Sequence, residues 1–297
     1  DGLVDVEVTR IQDQWSMSAT RLAMGSNTEE GLYVYGSTDG LAWAPDGDGP
    51  VVRIQDTPEP LSLYPRIGDR SRLVWDEWEQ RFVGLIDLPS PTYGDARGIM
   101  WGEFAPGDGW SMLPDAVIAP AIMGPTEQEL ALDQGYTGMT AWRESGLWLG
   151  LILRQEDACP QVGEVIAASS RDGRSWTPIV DELTQQDVLI AASGIDGLPD
   201  ASIDSLSGGR PAEADGEWHY LSGGTDQAIC NGTAAAGGVV RHVGRAGGIA
   251  GLAVAGQPPG VVITRSMQLK EGATGAVISV DAIVDDKVLV QVEALSG

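Results

Sequence analysis

Apolar runs of strand length, separated by glycine- and aspartate-rich turns, recur along the whole chain. Two of these runs, Leu32–Tyr35 and Val165–Ala168, are each followed by the pattern Ser-x-Asp-Gly-x-x-Trp. Asp-Gly favours a hairpin because a type I′ turn needs positive φ at both central residues, and the Asp side chain can bond backbone N–H groups two residues on. The pattern therefore predicts two equivalent β-hairpins, with Trp43 and Trp176 on the return strands.

The hairpins belong to a longer repeat. Trp43, Trp110 and Trp176 are spaced by 67 and 66 residues, although the middle copy keeps only Asp108, Gly109 and Trp110 of the pattern. A second landmark runs in step, because "WDEWEQRFVGLI" from residue 75 aligns with "WRESGLWLGLI" from residue 142. Each of these stretches indicates a strand, a polar turn and a second strand. The period is therefore about 66 residues, and each repeat holds about four strands.

Four-stranded antiparallel units repeated in sequence are typical of the blades of a β-propeller. Four such units fill roughly residues 1–257, and residues 258–297 contain three further apolar runs that predict closing strands. We expect an all-β fold, a five-bladed β-propeller of four-stranded antiparallel blades, forming a single domain over residues 1–297. The one helical candidate is "EQELALDQ" at 127–134, of two turns at most.

The charge of the chain excludes several partners. Its formal net charge is −25 over 297 residues, and Lys270 and Lys287 are the only lysines. Because phosphate binding needs clustered Lys and Arg, we expect no nucleic-acid partner and no anionic membrane surface. No apolar run is long enough for a transmembrane helix. The acidity itself has two interpretations, an adaptation of the surface to solubility or salt, or a specific acidic site.

Three stretches resemble a known superfamily: "ASSRDGRSWTP" at 168–178, "GRPAEADGEWHYLSGG" at 209–224, and the glycine-rich tail from residue 245 to 295. They are similar to bacterial glycosyl hydrolases of the five-bladed superfamily of glycoside hydrolase families 32 and 43. The resemblance implies a carbohydrate substrate and carboxylates that converge on the propeller axis near the start of the innermost strands. One carboxylate would act as nucleophile or base and another as general acid. The sequence motifs that carry these acids in the families are absent here.

The repeat offers its own carboxylates. Asp5, Asp69, Asp133 and Asp200 are spaced by 64, 64 and 67 residues, and each precedes an expected innermost strand by a few residues. Stacked blades would place them in a ring about the axis, where a partly dry site raises the pKa of some members, as a general acid requires. We therefore predict Asp5, Asp69 and Asp133 as catalytic and Asp200 as substrate-binding. The alternative is a chance coincidence among many aspartates.

Arginine and tryptophan side chains are further candidates for substrate contacts. Arg210 ends an expected inner strand and would grip an anionic sugar bidentately, unless it only pairs with surface acids. Trp78 and Trp148 would stack on sugar rings, or would instead pack between blades. These four positions, Asp200, Arg210, Trp78 and Trp148, are the predicted substrate-binding residues.

Cys159 and Cys230 lie in polar, turn-like stretches. A disulfide between two loops is one interpretation and two separate thiols are the other. The disulfide would fit an exported protein, so we expect a secreted or periplasmic location. Two cysteines without matching histidines predict no metal site, and we expect no cofactor, with a structural calcium ion left open. The sequence indicates no oligomeric state.

Two functions from different classes follow from these observations. The first is a glycoside hydrolase that cleaves an oligo- or polysaccharide by acid–base chemistry between carboxylates. The second is a catalytically inactive propeller that binds a glycan or a protein. The two differ at the axis, since only the enzyme requires convergent carboxylates there.

Overall fold

The computed structural model describes residues 2–11, 13–22, 30–53, 68, 70–89, 97–105, 109–112, 124–144, 146–156, 162–180, 187–227 and 237–245. Within these residues it has seventeen β-strands and one short α-helix. The chain divides into two compact units, Asp1–Gly251 and Leu252–Gly297. All of the described residues belong to the first unit. The predicted closing strands at 258–297 lie outside them.

The first two sheets each contain four antiparallel strands in sequence order. The strands of blade 1 are β1 (Gly2–Ile11), β2 (Gln14–Leu22), β3 (Gly31–Ser37) and β4 (Ala44–Pro45). Those of blade 2 are β5 (Arg72–Asp76), β6 (Arg81–Pro89), β7 (Arg97–Ala105) and β8 (Gly109–Met112).

Blade 3 follows the helix α1 (Glu127–Ala131) and has a fifth short strand on one side. Its strands are β9 (Gln134–Glu144), β10 (Leu147–Glu156), β11 (Gly163–Ser170), β12 (Trp176–Pro178) and β13 (Val188–Ile190). Helix α1 begins with a capping box, in which the Thr126 side chain accepts from the Glu129 N–H while the Glu129 side chain accepts from the Thr126 N–H. The predicted helical segment is therefore confirmed, at the short end of its expected length.

Blade 4 has an inner strand in two pieces. Its strands are β14 (Ser202–Leu206), β15 (Ala212–Ala214), β16 (Glu217–Thr225) and β17 (Gly237–Arg245). Both β14 and β15 pair with β16, the first along Ser222–Thr225 and the second along Glu217–His219. The interruption between them contains the sequence "SGGRP" at 207–211.

The innermost strands β1, β5, β9 and β14 contact one another in that order. This arrangement is an all-β propeller of small antiparallel sheets, as the repeat predicted, and the described residues supply four blades. The prediction of four strands per repeat is confirmed for blades 1 and 2. The predicted fifth blade depends on residues that the structure does not describe and stays a prediction.

Apolar side chains fill the interfaces on both faces of blade 3. Against blade 2, Trp148 packs edge-on to Trp101 with ring centroids 5.7 Å apart. Against blade 4, Trp142 packs edge-on to Trp218 at 5.9 Å. Because a blade alternates its side chains between two faces, both sets of neighbours are needed to bury its apolar surface. Blades 2, 3 and 4 therefore share continuous cores.

The seam between blades 1 and 2 is more polar. The Ser18 hydroxyl accepts from the Leu73 N–H at 3.1 Å, and the Thr20 hydroxyl donates to the Ser71 carbonyl at 3.1 Å. Both hydroxyls are buried, so these bonds satisfy groups that would otherwise cost free energy in the interior. They also show that β1 and β5 run in the same direction, because Ser18 pairs with Glu7 and Thr20 pairs with Val4.

The two repeated hairpins have equivalent turns. Asp39 Oδ1 accepts from the N–H groups of Leu41 and Ala42, and Asp172 Oδ1 accepts from those of Arg174 and Ser175. The predicted side-chain anchoring of these turns is confirmed.

The predicted turn type is wrong for both hairpins. Neither aspartate has positive φ, whereas Gly40 and Gly173 have φ of +74° and +78°. Both loops contain more than two residues, and the Asp carboxylate holds each loop through its bonds to backbone N–H groups. The type I′ geometry occurs instead at Asp215-Gly216, where φ is +55° and +76° between β15 and β16.

Candidate functional site

Strands β5 and β14 run in the same direction, since Arg70 bonds Asp204 and Arg72 bonds Leu206. Strand β9 runs in that direction too, since Gly138 lies beside Arg70 and Thr140 bonds Gly209. The propeller core therefore has a leading end, where β5, β9 and β14 begin, and a trailing end, where they finish. Polar side chains from three blades meet near the leading end. Arg70, which lies two residues ahead of β5, donates from one guanidinium nitrogen to Asp204 Oδ1 of β14 at 2.8 Å. Its other terminal nitrogen donates to Gln155 Oε1 of β10 at 2.9 Å. We call Arg70, Thr137, Gln155 and Asp204 the axial cluster.

Gln155 fixes the position of the guanidinium. Its Oε1 also accepts from the Thr137 hydroxyl at 2.9 Å, and its Nε2 donates to the Ile203 carbonyl at 3.3 Å. Both ends of the amide are therefore used, and Gln155 is only 5% exposed. A buried amide with all of these partners holds one orientation, which makes the cluster rigid.

Glycine in β9 lets the aliphatic part of the Arg70 side chain pass close to the backbone. A Cβ atom built on Gly138 would lie 3.1 Å from Arg70 Cβ. That distance is shorter than an ordinary van der Waals contact, so a side chain at position 138 would require Arg70 to shift by a few tenths of an ångström. The sequence "YTGMT" of β9 thus provides the room that the axial cluster needs.

A buried ion pair lies one step further along the inner strands. Arg72 of β5 and Glu7 of β1 are 1% and 3% exposed, with nitrogen and oxygen 3.7 Å apart. Arg72 also reaches blade 4, where it donates to the Ser207 carbonyl at 3.3 Å. The pair therefore joins blades 1, 2 and 4 across the core.

The loop at 207–211, which interrupts the inner strand of blade 4, contacts β9 and β1 beside the Glu7–Arg72 pair. The Gly209 N–H donates to the Thr140 hydroxyl of β9 at 2.9 Å. A Cβ atom on Gly208 would collide with the Glu7 carboxylate, so glycine is required where this loop meets β1. Side chains and backbone from all four blades thus fill the core here, and this filled layer forms the floor beneath the axial cluster.

The predicted carboxylates Asp133 and Asp200 both lie ahead of an inner strand, but they differ in exposure and in backbone conformation. Asp133 lies one residue ahead of β9, is exposed, and has φ of +58°. Its N–H donates to the Leu130 carbonyl, so it also terminates α1 in the left-handed conformation that Asp tolerates. Asp200 lies two residues ahead of β14 and is half-buried. Asp69 lies outside the described residues, although Gly68 and Arg70 on either side are described.

Asp5 differs from the prediction because it lies inside an inner strand rather than ahead of one. It falls at a bulge of β1, between Val4 and Glu7. Val4 pairs with Thr20, whose hydroxyl bonds the carbonyl of Ser71. The backbone of Asp5 is therefore level with the start of β5, close to the height of Arg70.

Three predicted substrate-binding residues, Arg210, Trp78 and Trp148, lie at the trailing end instead. Arg210 pairs with Glu144 at 3.0 Å and with Glu213 at 3.3 Å. Because Glu144 ends β9 and Asp133 precedes it, a strand of this length separates their levels by roughly 35 Å. Arg210 is thus engaged by two acids, as the ion-pair alternative expected, and does not join the predicted aspartates.

Trp78 and Trp148 flank one arginine at the same end. The Arg143 guanidinium lies 5.7 Å from the Trp78 ring centroid and 5.0 Å from that of Trp148. Trp78 is 57% exposed, whereas Trp148 is 1% exposed and belongs to the core between blades 2 and 3. A ring so buried offers no face to a sugar, so the packing interpretation holds for Trp148.

Blade 3 contains a second polar cluster around Arg154 of β10. Its guanidinium contacts Glu129 at 2.7 Å, Asp187 at 2.8 Å and Glu164 at 2.7 Å. Burial works against the charged form of Glu129, but the Thr126 N–H and Arg154 outweigh it, so the pKa of Glu129 is lowered. Burial and then the Glu129 charge raise the pKa of Tyr136, whose hydroxyl donates to Glu129. This cluster ties α1 to three strands of the blade.

His242 of β17 also has a shifted pKa, and it lies near the predicted residue Asp200. Burial lowers its pKa, and the charge of Asp200 opposes that shift. Its Nε2 lies 2.8 Å from the Ser222 hydroxyl. Ser222 is 2% exposed and His242 is half-buried.

The predictions about cysteine and metal have no test among the described residues. Cys159 and Cys230 lie outside them, so the disulfide stays a prediction. Within the described ranges, no three His, Cys, Asp or Glu side chains are grouped as metal ligands. In the same ranges, no helix has the length and apolarity that a membrane crossing would need.

Solved structures share this architecture. A glycosyl hydrolase from Bacteroides ovatus has a TM-score of 0.51 at 15% identity, covering 75% of this chain and 60% of its own. An exo-1,5-α-L-arabinanase from a bovine ruminal metagenomic library has a TM-score of 0.51 at 14% identity, covering 80% and 72%. A family 32 β-fructofuranosidase from Bombyx mori has a TM-score of 0.52 at 11% identity, covering 82% and 46%.

The chain has the fold of these β-propeller glycoside hydrolases. The resemblance expected from the sequence is therefore confirmed for the fold. The chain spans 60% of the length of the Bacteroides ovatus protein. No protein-family model matches the sequence, and no curated protein matches it.

Sequence reasoning missed the residues that meet at the axis. Glu7 comes from blade 1, Arg70 and Arg72 from blade 2 and Asp204 from blade 4, and no local motif connects these blades. One signal was present, since "SIDSL" places an acid within an otherwise apolar and small-residue inner strand. A charged residue in such a strand needs a partner, and here Arg70 provides it.

Proposed function

We propose that this chain is a glycoside hydrolase whose substrate binds at the leading end of the inner strands, above the floor formed by Glu7 and Arg72. The observation that carries the proposal is the axial cluster, in which Arg70 and Asp204 bring opposite charges from two blades together above a filled core. Glycoside hydrolases share this fold. A rigid charged site of this kind suits a polar, uncharged ligand rich in hydroxyl groups.

The reaction needs two carboxyl groups. One protonates the leaving oxygen and the other acts as base or nucleophile, at separations of about 5 to 10 Å. We propose Asp5, Asp69 and Asp133 for these roles, with Asp200 beside the substrate. The level of Asp5 on β1 and the positions of Asp133 and Asp200 ahead of β9 and β14 support a common location at the leading end.

We also propose that residues 258–297 supply the strands of a fifth blade and that the chain is one propeller domain. The first and last described strands support this idea, because both expose apolar side chains. Val6 and Val8 of β1 are 44% and 47% exposed, and Val239 of β17 is 75% exposed. Blades 2 to 4 bury side chains of this type against their neighbours.

The second candidate function is glycan binding without catalysis. The position of Asp133 favours it, since this exposed residue ends α1 in a conformation that has its own structural purpose. A binding protein would keep the axial cluster and need no general acid.

One screen separates the two functions. The purified chain is incubated with a glycan panel that includes α-1,5-linked arabino-oligosaccharides and sucrose, and products are detected by mass spectrometry. The proposal expects at least one glycan to be cleaved, and loss of that activity in Asp69→Asn or Asp133→Asn by about a hundredfold. Cleavage at an equal rate by both variants would remove these residues from catalysis. Binding without any cleavage would support the second function.

A further inference from the structure

We infer that Asp204 contacts the sugar directly and that Arg70 is the residue that positions it. This inference rests on the proposed function and deepens it. It names a carboxylate of blade 4 as a substrate-contacting group, whereas the residues proposed for acid and base chemistry come from blades 1 to 3.

The exposure of the two side chains supports this division of roles. Asp204 is 41% exposed and Arg70 is 17% exposed. Arg70 therefore lies behind the carboxylate, with its terminal nitrogens turned to Asp204 Oδ1 and Gln155 Oε1. Among the described residues, the hydrogen bond from Arg70 to Oδ1 is the one that anchors Asp204, and the side chain is otherwise largely open to solvent.

The backbone of β14 turns Asp204 out of the regular pattern. The register against β16 shifts between Ile203 and Ser205, because Ile203 pairs with Gly224 while Ser205 pairs with Gly223. Asp204 is therefore the extra residue of a β-bulge. Bulges interrupt the ladder and re-aim a side chain, and they are common beside binding sites.

Arg70 has more supporting contacts than a simple surface ion pair requires. Surface pairs contribute little to stability and need no further support. Here Gln155, which is 5% exposed, accepts from the guanidinium and is itself held by the buried Thr137 hydroxyl, while Gly138 leaves space for the aliphatic part of the Arg70 side chain. Such support fixes the direction of the carboxylate, which a binding site needs and an ion pair does not.

The ligand class follows from the charge and geometry. An ionised carboxylate accepts hydrogen bonds, so it suits the hydroxyl groups of a sugar. The neighbouring guanidinium is already engaged by Asp204 and Gln155, so the cluster does not offer a free cation to an anionic sugar. We therefore expect a neutral saccharide with at least one hydroxyl directed at Asp204.

The test compares Asp204→Asn with Asp215→Asn. Both variants replace one carboxylate of blade 4 with an amide of the same shape, but Asp215 lies in the exposed turn between β15 and β16, where Asn also tolerates positive φ. The probes are α-1,5-arabinobiose and sucrose, together with any glycan that the wild type cleaves. Binding is measured by saturation-transfer NMR and calorimetry, and KM and kcat are measured where cleavage occurs.

We expect Asp204→Asn to weaken binding or raise KM about tenfold or more, because a hydrogen bond to a charged group is lost. Asp215→Asn should match the wild type, and both variants should unfold at the wild-type temperature. Arg70→Lys should retain part of the affinity and Arg70→Met less, because Lys keeps the charge but loses the planar fork. A larger effect on KM than on kcat separates positioning from a general loss of structure.

The outcomes distinguish the inference from the proposed function. Cleavage by the wild type with unchanged KM in Asp204→Asn would overturn the inference and leave the function standing. Binding that depends on Asp204, without cleavage of any glycan, would support the inference and overturn the function. A wild-type protein that neither binds nor cleaves any probe would overturn both.

Discussion

Asp39 and Asp172 occupy the same place in hairpins of blades 1 and 3, and each carboxylate accepts N–H bonds of 2.8 to 2.9 Å from the residues two and three positions ahead. The serine two residues earlier, Ser37 or Ser170, accepts from the following Gly N–H at 2.9 Å in both turns. The surroundings differ, however. The Asp172 turn lies against the core, since Gly173 contacts Trp101 and Trp148.

We predict that Asp172→Ala lowers the thermal stability more than Asp39→Ala. Asp172 anchors a turn whose Trp176 is 9% exposed and donates to the Gly173 carbonyl at 2.6 Å. Loss of the carboxylate should cost about 1 to 2 kcal/mol, which corresponds to a fall of roughly 3 to 6 °C in Tm. Gly40 and Trp43 of the other turn are only half-buried, so a smaller fall is expected there. Differential scanning fluorimetry measures both, and an equal fall would contradict the prediction.

Arg72→Met should destabilise the propeller strongly. The variant removes the buried guanidinium beside Glu7 and its bonds to the carbonyl groups of Leu206 and Ser207. Breaking one side of a buried ion pair typically costs about 3 to 5 kcal/mol. Urea unfolding followed by tryptophan fluorescence measures the free energy of unfolding.

The matched control is the double variant Glu7→Gln/Arg72→Met. Because it removes both charges from the floor of the site, we expect it to recover part of the loss. A single variant as stable as the wild type would show that the floor does not depend on this pair. A double variant no better than the single variant would show that the carbonyl bonds, rather than the charge of Glu7, carry the effect.

The Glu129–Arg154 contact should make stability depend on pH in the acid range. The pKa of Glu129 is lowered in the folded chain, so the unfolded chain binds the proton more readily. Its contribution is therefore fully present above the ordinary glutamate pKa of about 4.3 and is lost as the pH falls through the lowered value. The free energy of unfolding, measured by urea titration between pH 3 and pH 6, should fall towards the acid end.

Glu129→Gln removes the titrating group and isolates its share of this slope. We expect the variant to be less stable than the wild type at pH 6 and to approach it as the pH falls. Glu127→Gln is the control, because Glu127 is an exposed residue of the same helix. Parallel stability curves for the wild type and Glu129→Gln would refute the assignment of this contact.

The sequence predicted the parts of the fold that depend on local chemistry. Trp75 and Trp142 marked two hairpins correctly, since each lies in an inner strand just before its turn. Asp39 and Asp172 marked two more. In each case the residues that determine the turn lie within a few positions, so a repeat in the sequence becomes a repeat in the structure.

The axial cluster could not be predicted from local sequence patterns. Arg70 and Asp204 are 134 positions apart, and their contact depends on a bulge in β14 and a glycine in β9. The spacing of the aspartates in the repeat predicted that Asp133 and Asp200 lie at the leading end of the inner strands. It did not predict the directions in which their side chains point. Trp148 shows the same limit, because a tryptophan beside a turn has the same pattern whether it packs inward or faces solvent.

A disulfide between Cys159 and Cys230 remains a prediction that the fold makes more specific. The two residues fall in the connections from β10 to β11 and from β16 to β17. Each connection joins the second and third strands of its blade, and blades 3 and 4 are adjacent. Closing a loop of about 70 residues should stabilise the fold by roughly 4 kcal/mol in the chain-entropy model. Intact mass after alkylation of the denatured, unreduced chain should show no labelled cysteine, and labelling of both would rule the bridge out.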